Sequence, residues 1–342
     1  MSPHRRPRVA VLVLLMLAAL AAAARAGVHP SRILVIDSYH AAYPWSAGIR
    51  AGIAASLGLT PPVIDEGETR AADGSVVVHA VFMDTKRHGW AENIEAAGHR
   101  AYQEVLRWGP DLVIACDDNA VSAVVAPYLV GGDVPVVFCG VNWDAGVYGL
   151  PRDNVTGMVE VDQVPDLLAV LRRHARGDRI GLLLLDSVSA RRDADAWRTY
   201  FGLDPVERLV SDYAQWKAAF AAMQDEVDML LIKQNVAGAA DWDAQDAAAF
   251  TLATARIPVG TTGEPMMDCA LVSFIKNPHE QGRWAGATAR AVLAGADPRH
   301  IPLAVNTESR VYLNMTMAAK LGVRFSMDLI ERATFLEERW AP

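Results

Sequence analysis

Cysteine is scarce: Cys116, Cys139 and Cys269 are the three in a chain of 342 residues. With no CxxC and no His at metal-ligand spacing they make no zinc site, and we expect no metal. An odd count also argues against a disulfide framework. Buried thiols are the expectation, with a Cys116–Cys139 bridge left open for an oxidising compartment, since both residues close neighbouring predicted strands. Nucleotide-binding loops are missing as well. There is no GxGxxG and no GxxxxGK[ST], so we expect no nucleotide cofactor and no cofactor of another kind. A GxSxG elbow and an HExxH helix are equally absent, which removes two hydrolase classes. Basic clusters are lacking too: 32 Lys and Arg stand against 40 Asp and Glu, for a net charge of −8. A nucleic-acid or anionic-membrane binder would carry the opposite bias. No repeat of fixed short period occurs, which excludes solenoids and propellers.

What is present begins at the N-terminus. Arg5, Arg6 and Arg8 precede an unbroken apolar run from Val9 to Ala24, and Ala24-Arg25-Ala26 offers small residues where a signal peptidase reads. The run falls short of the roughly 20 residues a spanning helix needs. Residues 1–26 are therefore expected to be a signal peptide cleaved near Ala26, and the protein to be periplasmic. Its removal takes four arginines and moves the formal charge from −8 to −12. No Cys follows the run to carry an acyl anchor, and no later stretch is long and apolar enough to span a bilayer.

From there on, strand and helix patterns alternate. Ile33–Asp37, Val76–Phe82, Asp111–Ala115 and Pro135–Phe138 are short apolar runs of the kind buried on both faces of a parallel sheet. Helical spacing lies between them, at Ala47–Leu57, Ala91–Trp108 and Ala120–Val130. After Asn154 the pattern resumes. A connecting strand Thr156–Val161 and a helix Val164–Arg173 come first. Strands at Arg179–Leu185, Val206–Val210, Val227–Ile232, Ile257–Gly260 and Leu271–Ile275 follow, bridged by helices. The helix His279–Leu293, the strand Ile301–Val305 and a helix around Asn314–Lys320 close the series. The fold class is α/β, with two Rossmann-like lobes built on parallel sheets and no Pro/Gly/Ser linker between them.

In open α/β sheets ligands gather at the C-terminal ends of the strands, and polar and aromatic residues cluster there in this chain. After the first strand come Ser38, Tyr39, His40, Tyr43 and Trp45, an aromatic wall with hydroxyls that suit an anion. Met83-Asp84-Thr85-Lys86-Arg87 follows the second strand. Asp117, Asp118 and Asn119 follow the third, where helix capping competes with contact to a ligand ammonium. Asn142 follows the fourth, behind Gly140. In the second half Asp186, Lys233 with Gln234 and Asn235, and Glu264 occupy the same kind of position. The candidate ligand-binding residues are Ser38, Tyr39, Tyr43, Trp45, Asp117, Asp118, Asn142, Asp186, Lys233 and Glu264. No catalytic residue is assigned.

Several of these stretches are familiar together. Ile33–Trp45 (ILVIDSYHAAYPW), Phe82–Arg87 (FMDTKR), Pro110–Asn119 (PDLVIACDDN), Pro135–Asn142 (PVVFCGVN) and Asn154–Glu160 (NVTGMVE) resemble a family of bacterial ABC-transporter substrate-binding proteins. Lys276-Asn277-Pro278, Ile301-Pro302-Leu303 and Tyr312–Gly322 (YLNMTMAAKLG) extend the likeness along nearly the whole mature chain. Relatives of that family also form sensory domains of histidine kinases and diguanylate cyclases. The resemblance implies a type-I periplasmic-binding fold with three crossings, near Asn154–Thr156, Lys276–Pro278 and Val305–Thr307. Residues 27–154 with 277–305 would form one lobe, and 155–276 with 306–342 the other. It also implies capture of a small organic ligand between the lobes, an amino acid or aromatic compound among the candidates. The partner would be the membrane permease of an ABC importer. A stand-alone partner of a membrane sensor kinase or cyclase is the alternative, and a secreted α/β enzyme the rival of another class. Two departures bear on ligand identity. Ala41-Ala42 stands where a Pro-Gly-like pair is expected, and Ala190–Asp204 lacks a Gly-rich start.

Overall fold

The computed structural model describes residues 29–65, 67–233 and 241–336. The expected signal peptide, residues 1–26, lies outside the described residues, as do Gln234 and Asn235. Along the chain the elements are β1 (Ser31–Asp37), α1 (Pro44–Leu57), β2 (Leu59–Thr60), β3 (Glu68–Ala71), β4 (Val76–Phe82), α2 (Ala91–Trp108) and β5 (Leu112–Cys116). Next come a single turn α3 (Asp117–Ala120) continued by a π-helical segment Val121–Leu129, then β6 (Val136–Asn142) and β7 (Val155–Glu160). The later series is α4 (Val164–Arg172), β8 (Ile180–Leu185), α5 (Val188–Phe201), β9 (Val206–Val210), α6 (Tyr213–Glu226), β10 (Met229–Lys233), α7 (Ala244–Thr254), β11 (Val259–Thr261) and β12 (Val272–Lys276). The helix α8 (Pro278–Leu293) leads to β13 (Ala304–Val305), β14 (Ser309–Leu313), α9 (Met315–Leu321), α10 (Met327–Glu331) and β15 (Ala333–Phe335).

Two sheets result. One runs β13-β7-β6-β5-β1-β4-β3-β2, the other β15-β14-β12-β11-β10-β8-β9. Most pairs are parallel, but β3 pairs antiparallel with both β2 and β4, and β14 with β12. The sheets are therefore mixed, where the sequence reading has parallel strands alone. The extra strands lie toward the sheet edges, where exposure on one side breaks the continuous apolar run that marks a central strand. The segment 120–130, expected as an ordinary helix, widens to a π-helix around Pro127. A proline ring there has no N–H to donate and would crowd the carbonyl four residues back, and the wider turn relieves both.

The chain divides into two compact units. Unit 1 holds the chain up to Cys139, with Gly146–Gly157 and Gly282–Pro302; unit 2 holds Gly140–Ala145, Met158–Gln281 and the chain from Leu303. In unit 1 the core gathers Ile33, Val35, Ile49, Ile53, Leu112, Ile114 and Ala285 on one side of the sheet. There α8 packs backbone to backbone on α1. A Cβ built on Gly282 would lie 1.9 Å from the Ile49 carbonyl oxygen, so only glycine fits. In unit 2 both faces of the second sheet are covered. Leu183, Trp216, Phe220 and Leu230 fill one side, and Leu167, Leu182, Trp197 and Phe274 the other. Cys116 and Cys139 are direct register partners on β5 and β6. Their Sγ atoms are 3.8 Å apart, and both are free, buried thiols.

Candidate functional site

On unit 1 the loop after β1 is fixed by one buried ion pair. Asp37 accepts hydrogen bonds from Arg50 Nη1 at 2.7 Å, Ser46 Oγ at 2.7 Å and the Tyr39 amide at 3.0 Å. Arg50 also donates to the carbonyls of Ile64 and Ala41. A fully buried carboxylate is stable only when so satisfied, and here that requirement shapes the loop. Ser38 is buried beneath it. Its hydroxyl donates to the Cys116 carbonyl at 2.6 Å and accepts from the Ala120 amide at 2.8 Å. Thr85 Oγ1 donates to the Ser38 carbonyl and accepts from Asn119 Nδ2. Ser38 thus ties the ends of β1, β4 and β5 together.

Above this frame sit the aromatic rings. Tyr39 and Tyr43 meet edge to face at 5.0 Å, and Lys86 Nζ lies 4.4 Å and 5.2 Å from their centroids. Trp45 Nε1 donates to Asp117 Oδ1 at 2.9 Å. Asp118 Oδ1 accepts from the Tyr148 hydroxyl at 2.7 Å. Asp84 and Asp117, each just past a strand end, have φ of 56° and 69°. A non-glycine residue in that region is strained by about 1 kcal/mol or more, and such strain concentrates at functional sites. The structure therefore brings Tyr39, Tyr43, Trp45 and Asp117 together, with Ser38 beneath them and Asp118 beside.

On unit 2 the strand ends carry an ionic cluster. Asp162 is fully buried and meets Lys233 and, at 3.2 Å, Lys276. Lys233 also reaches Asp193 at 2.8 Å, and Lys276 reaches Glu160. Two indoles close the cluster: Trp197 Nε1 donates to Asp162 at 3.1 Å, and Trp143 Nε1 to Asp193 at 3.1 Å. Burial alone would raise the Asp162 pKa, but the Lys233 and Lys276 charges override it and hold the carboxyl well below the usual range. Burial likewise works against the two ammonium groups. Asp162 and Asp193 reverse it for Lys233, and Glu160 and Asp162 for Lys276, so both stay charged with raised pKa values. Between them, just past β11, Thr262 is buried with no partner for its hydroxyl among the described residues. Continuing the registers of β10–β11 and β11–β12 puts Thr262 opposite Lys233 and Phe274, on the face that also bears Lys276.

Of the other residues expected here, Lys233 is in this cluster, whereas Asn142 ends β6 exposed. Asp186 is exposed and paired with Arg191 at 2.5 Å, and Glu264 is exposed with Arg310 at 3.8 Å. Glu160, Asp162, Asp193, Lys276, Trp143 and Trp197 are not among the sequence-derived candidates. A signal existed for Glu160, Asp162 and Lys276, polar residues that close β7 and β12 as Lys233 closes β10. Asp193 and Trp197 sit inside α5, beyond any strand-end rule. Among the described residues no group of three or more His, Cys, Asp and Glu is arranged to hold a metal, and no helix is long and apolar enough to cross a membrane.

The family described as ABC transporter substrate binding protein matches residues 101–336. Among proteins of curated function no sequence match is found. Solved structures share the fold. The ligand-free, open form of CD0873, a substrate-binding protein with adhesive properties from Clostridium difficile, is similar with a TM-score of 0.67 at 16% identity, covering 90% of this chain and 99% of its own. An ABC domain from Streptococcus pneumonia, solved with L-Trp, has a TM-score of 0.59 at 17% identity over 90% and 99%. A conserved domain protein from Vibrio cholerae has 0.55 at 17% identity over 89% and 99%. The fold is that of the type-I periplasmic binding proteins.

Proposed function

We propose, from the premise that the chain belongs to the ABC transporter substrate-binding protein family, that it captures a small organic ligand of amino-acid or aromatic character for an ABC importer. The strand-end face of unit 1 would contribute to that ligand's site, and the captured ligand would pass to the membrane permease. Export by the N-terminal segment 1–26, to the periplasm or its equivalent, fits this role. No covalent chemistry is required of any residue.

The observation that carries the reading is the aromatic wall of unit 1. Tyr39 and Tyr43 contribute ring faces and edges, while Trp45 is oriented by Asp117 at a strained strand end. Aromatic walls with a few fixed polar groups are the usual composition of small-molecule sites. Asp117 and Asp118 place negative charge beside that wall, which suits an ammonium group. On unit 2's own strand-end face, Lys233 and the exposed Asn142, Asp186 and Glu264 would offer polar contacts.

The test is thermal unfolding of residues 27–342 with a panel headed by aromatic amino acids, followed by other amino acids, purines, small acids and sugars. A ligand at 100 times its Kd should add about 2.7 kcal/mol, a rise of a few degrees for a chain of this size. A hit recovered chemically intact supports capture. Conversion of the hit to a product would overturn the reading in favour of an enzyme, and a flat panel would overturn the ligand class.

A further inference from the structure

We propose that unit 2 carries a separate site, remote from its strand-end cluster, for a small soluble molecule bearing a phosphate group beside an apolar body. The site is a cavity of about 550 Å³ between α4 and residues 324–332, the segment that holds α10. Its volume is in the range of small-molecule pockets, roughly 300–1,000 Å³. Asp162, in the ionic cluster, precedes the first turn of α4, whereas Arg173 and His174 follow its last. The cavity runs along α4 from Asp166 in its first turn to Arg173 and His174 past its last, and its arginines lie at the end away from the cluster. Nothing in this assignment depends on the ligand proposed above.

Three guanidinium groups line it, from Arg173, Arg324 and Arg332. Among the described residues none of the three makes an ion pair or a hydrogen bond; Arg332 lies over the Phe274 ring at 5.8 Å. Unpaired arginines are not rare in this chain: Arg50, Arg107, Arg198 and Arg208 each meet a carboxylate, whereas Arg100, Arg172, Arg176 and Arg192 make no ion pair among the described residues. What sets Arg173, Arg324 and Arg332 apart is that they line one cavity. A cation at the end of a helix answers the helix dipole, which accounts for Arg173 at the end of α4 and for Arg332 at the end of α10. It does not account for Arg324, nor for the convergence of all three on one space. Asp166 and Asp328 also line the cavity, and neither is within ion-pair distance of the three arginines, so a net positive charge remains. Burial and the Arg173 charge both lower the His174 pKa, as expected of an imidazole in a positive environment.

Guanidinium forks recognise carboxylate and phosphate oxygens in pairs. Three forks exceed what the two oxygens of one carboxylate accept, whereas a phosphate monoester offers three. The cavity floor is apolar, made of Val170, Phe325 and Leu329, which suits a hydrocarbon or ring attached to the phosphate. A lipid headgroup offers the same chemistry, but the negative charge of the whole chain opposes an anionic bilayer. The soluble source is therefore favoured.

The experiment is calorimetric titration of the full protein, at low ionic strength, with phenyl phosphate and with inorganic phosphate, beside the double variant Arg324→Gln/Arg332→Gln. Both side chains are exposed and unpaired, so the variant should keep the wild-type circular dichroism and melting temperature. The single variant Arg324→Lys keeps the charge and loses the fork. We expect phenyl phosphate to bind more tightly than inorganic phosphate, the Lys variant to be weakened, and the double variant to lose tenfold or more. Absence of phenyl phosphate binding to the wild type, or equal binding by the double variant, would overturn the assignment. Sedimentation with phosphatidylglycerol vesicles that the double variant abolishes, without phenyl phosphate binding, would overturn the soluble source in favour of a headgroup.

Discussion

Trp45 and Asp117 form one unit of the unit 1 face: the indole N–H is oriented by a carboxylate whose own backbone sits at φ 69°. Truncating Trp45 to Ala removes a half-buried ring that also packs against the unit 1 core of Ile33, Val35, Ile49 and Ile53. Trp45→Ala should therefore weaken the strongest panel ligand by about tenfold, roughly 1.4 kcal/mol, beside a lowered melting temperature from the lost packing. Equal destabilisation with unchanged affinity would make Trp45 a packing residue. Asp162 behaves in the opposite way. It is fully buried between two ammonium groups, and Asp162→Asn would leave them under-compensated, at a cost of about 3–5 kcal/mol measurable by urea denaturation. The pH dependence has a definite sign. With a folded pKa held below its unfolded value of about 3.9, Asp162 stabilises the fold above that value. The contribution is lost as pH falls further toward the folded pKa. Acid unfolding of Asp162→Asn should accordingly be shallower below about pH 4 than that of the wild type.

At the scale of elements, the contact of α8 on α1 depends on two glycines. Gly282→Ala would drive a methyl group into the Ile49 carbonyl, and at Gly286 into Ser56. Overpacking of this kind costs about 1–3 kcal/mol, and backbone-against-backbone contact leaves little room to relax. Gly282→Ala should sit at the upper end of that range in thermal unfolding. The same scale separates what the sequence discloses from what it hides. β1 and β5 are legible because their centres are buried on both faces and run apolar without a break, and β4 because only His79 interrupts its apolar run. β2, β3 and β14 are hidden because partial exposure interrupts that run, so a sequence pattern reads them as loop. In the unit 1 site, Tyr39, Tyr43 and Trp45 fall within one short stretch and Asp117 lies at a strand end, and aromatic density in one stretch is visible in a linear text. The unit 2 cluster draws on β7, α5, β10 and β12. Only the register of the folded sheet brings those four together, and Lys233 alone stood out as a charge in an apolar context.

For the whole molecule, the free thiols give a global readout. Burial pushes the Cys269 thiol up to about 12. The neighbouring Cys139 and burial raise Cys116 well above its ordinary value. Neutral, buried thiols are poor nucleophiles, so a thiol reagent should label none of the three in the native protein. All three should react after denaturation without reductant. One reactive thiol instead of three would show that Cys116 and Cys139 close into a disulfide across their 3.8 Å separation.

The ionic cluster of unit 2 also determines how that face treats charged visitors. Lys233 and Lys276 already hold Asp162, Asp193 and Glu160. An anion arriving from solution does not meet vacant cations. It meets tethered competitors, whose effective concentration far exceeds that of any dilute solute. Contact of Lys233 with a ligand's anionic group would therefore have to displace Asp193, and its cost is set by intramolecular competition rather than by shape.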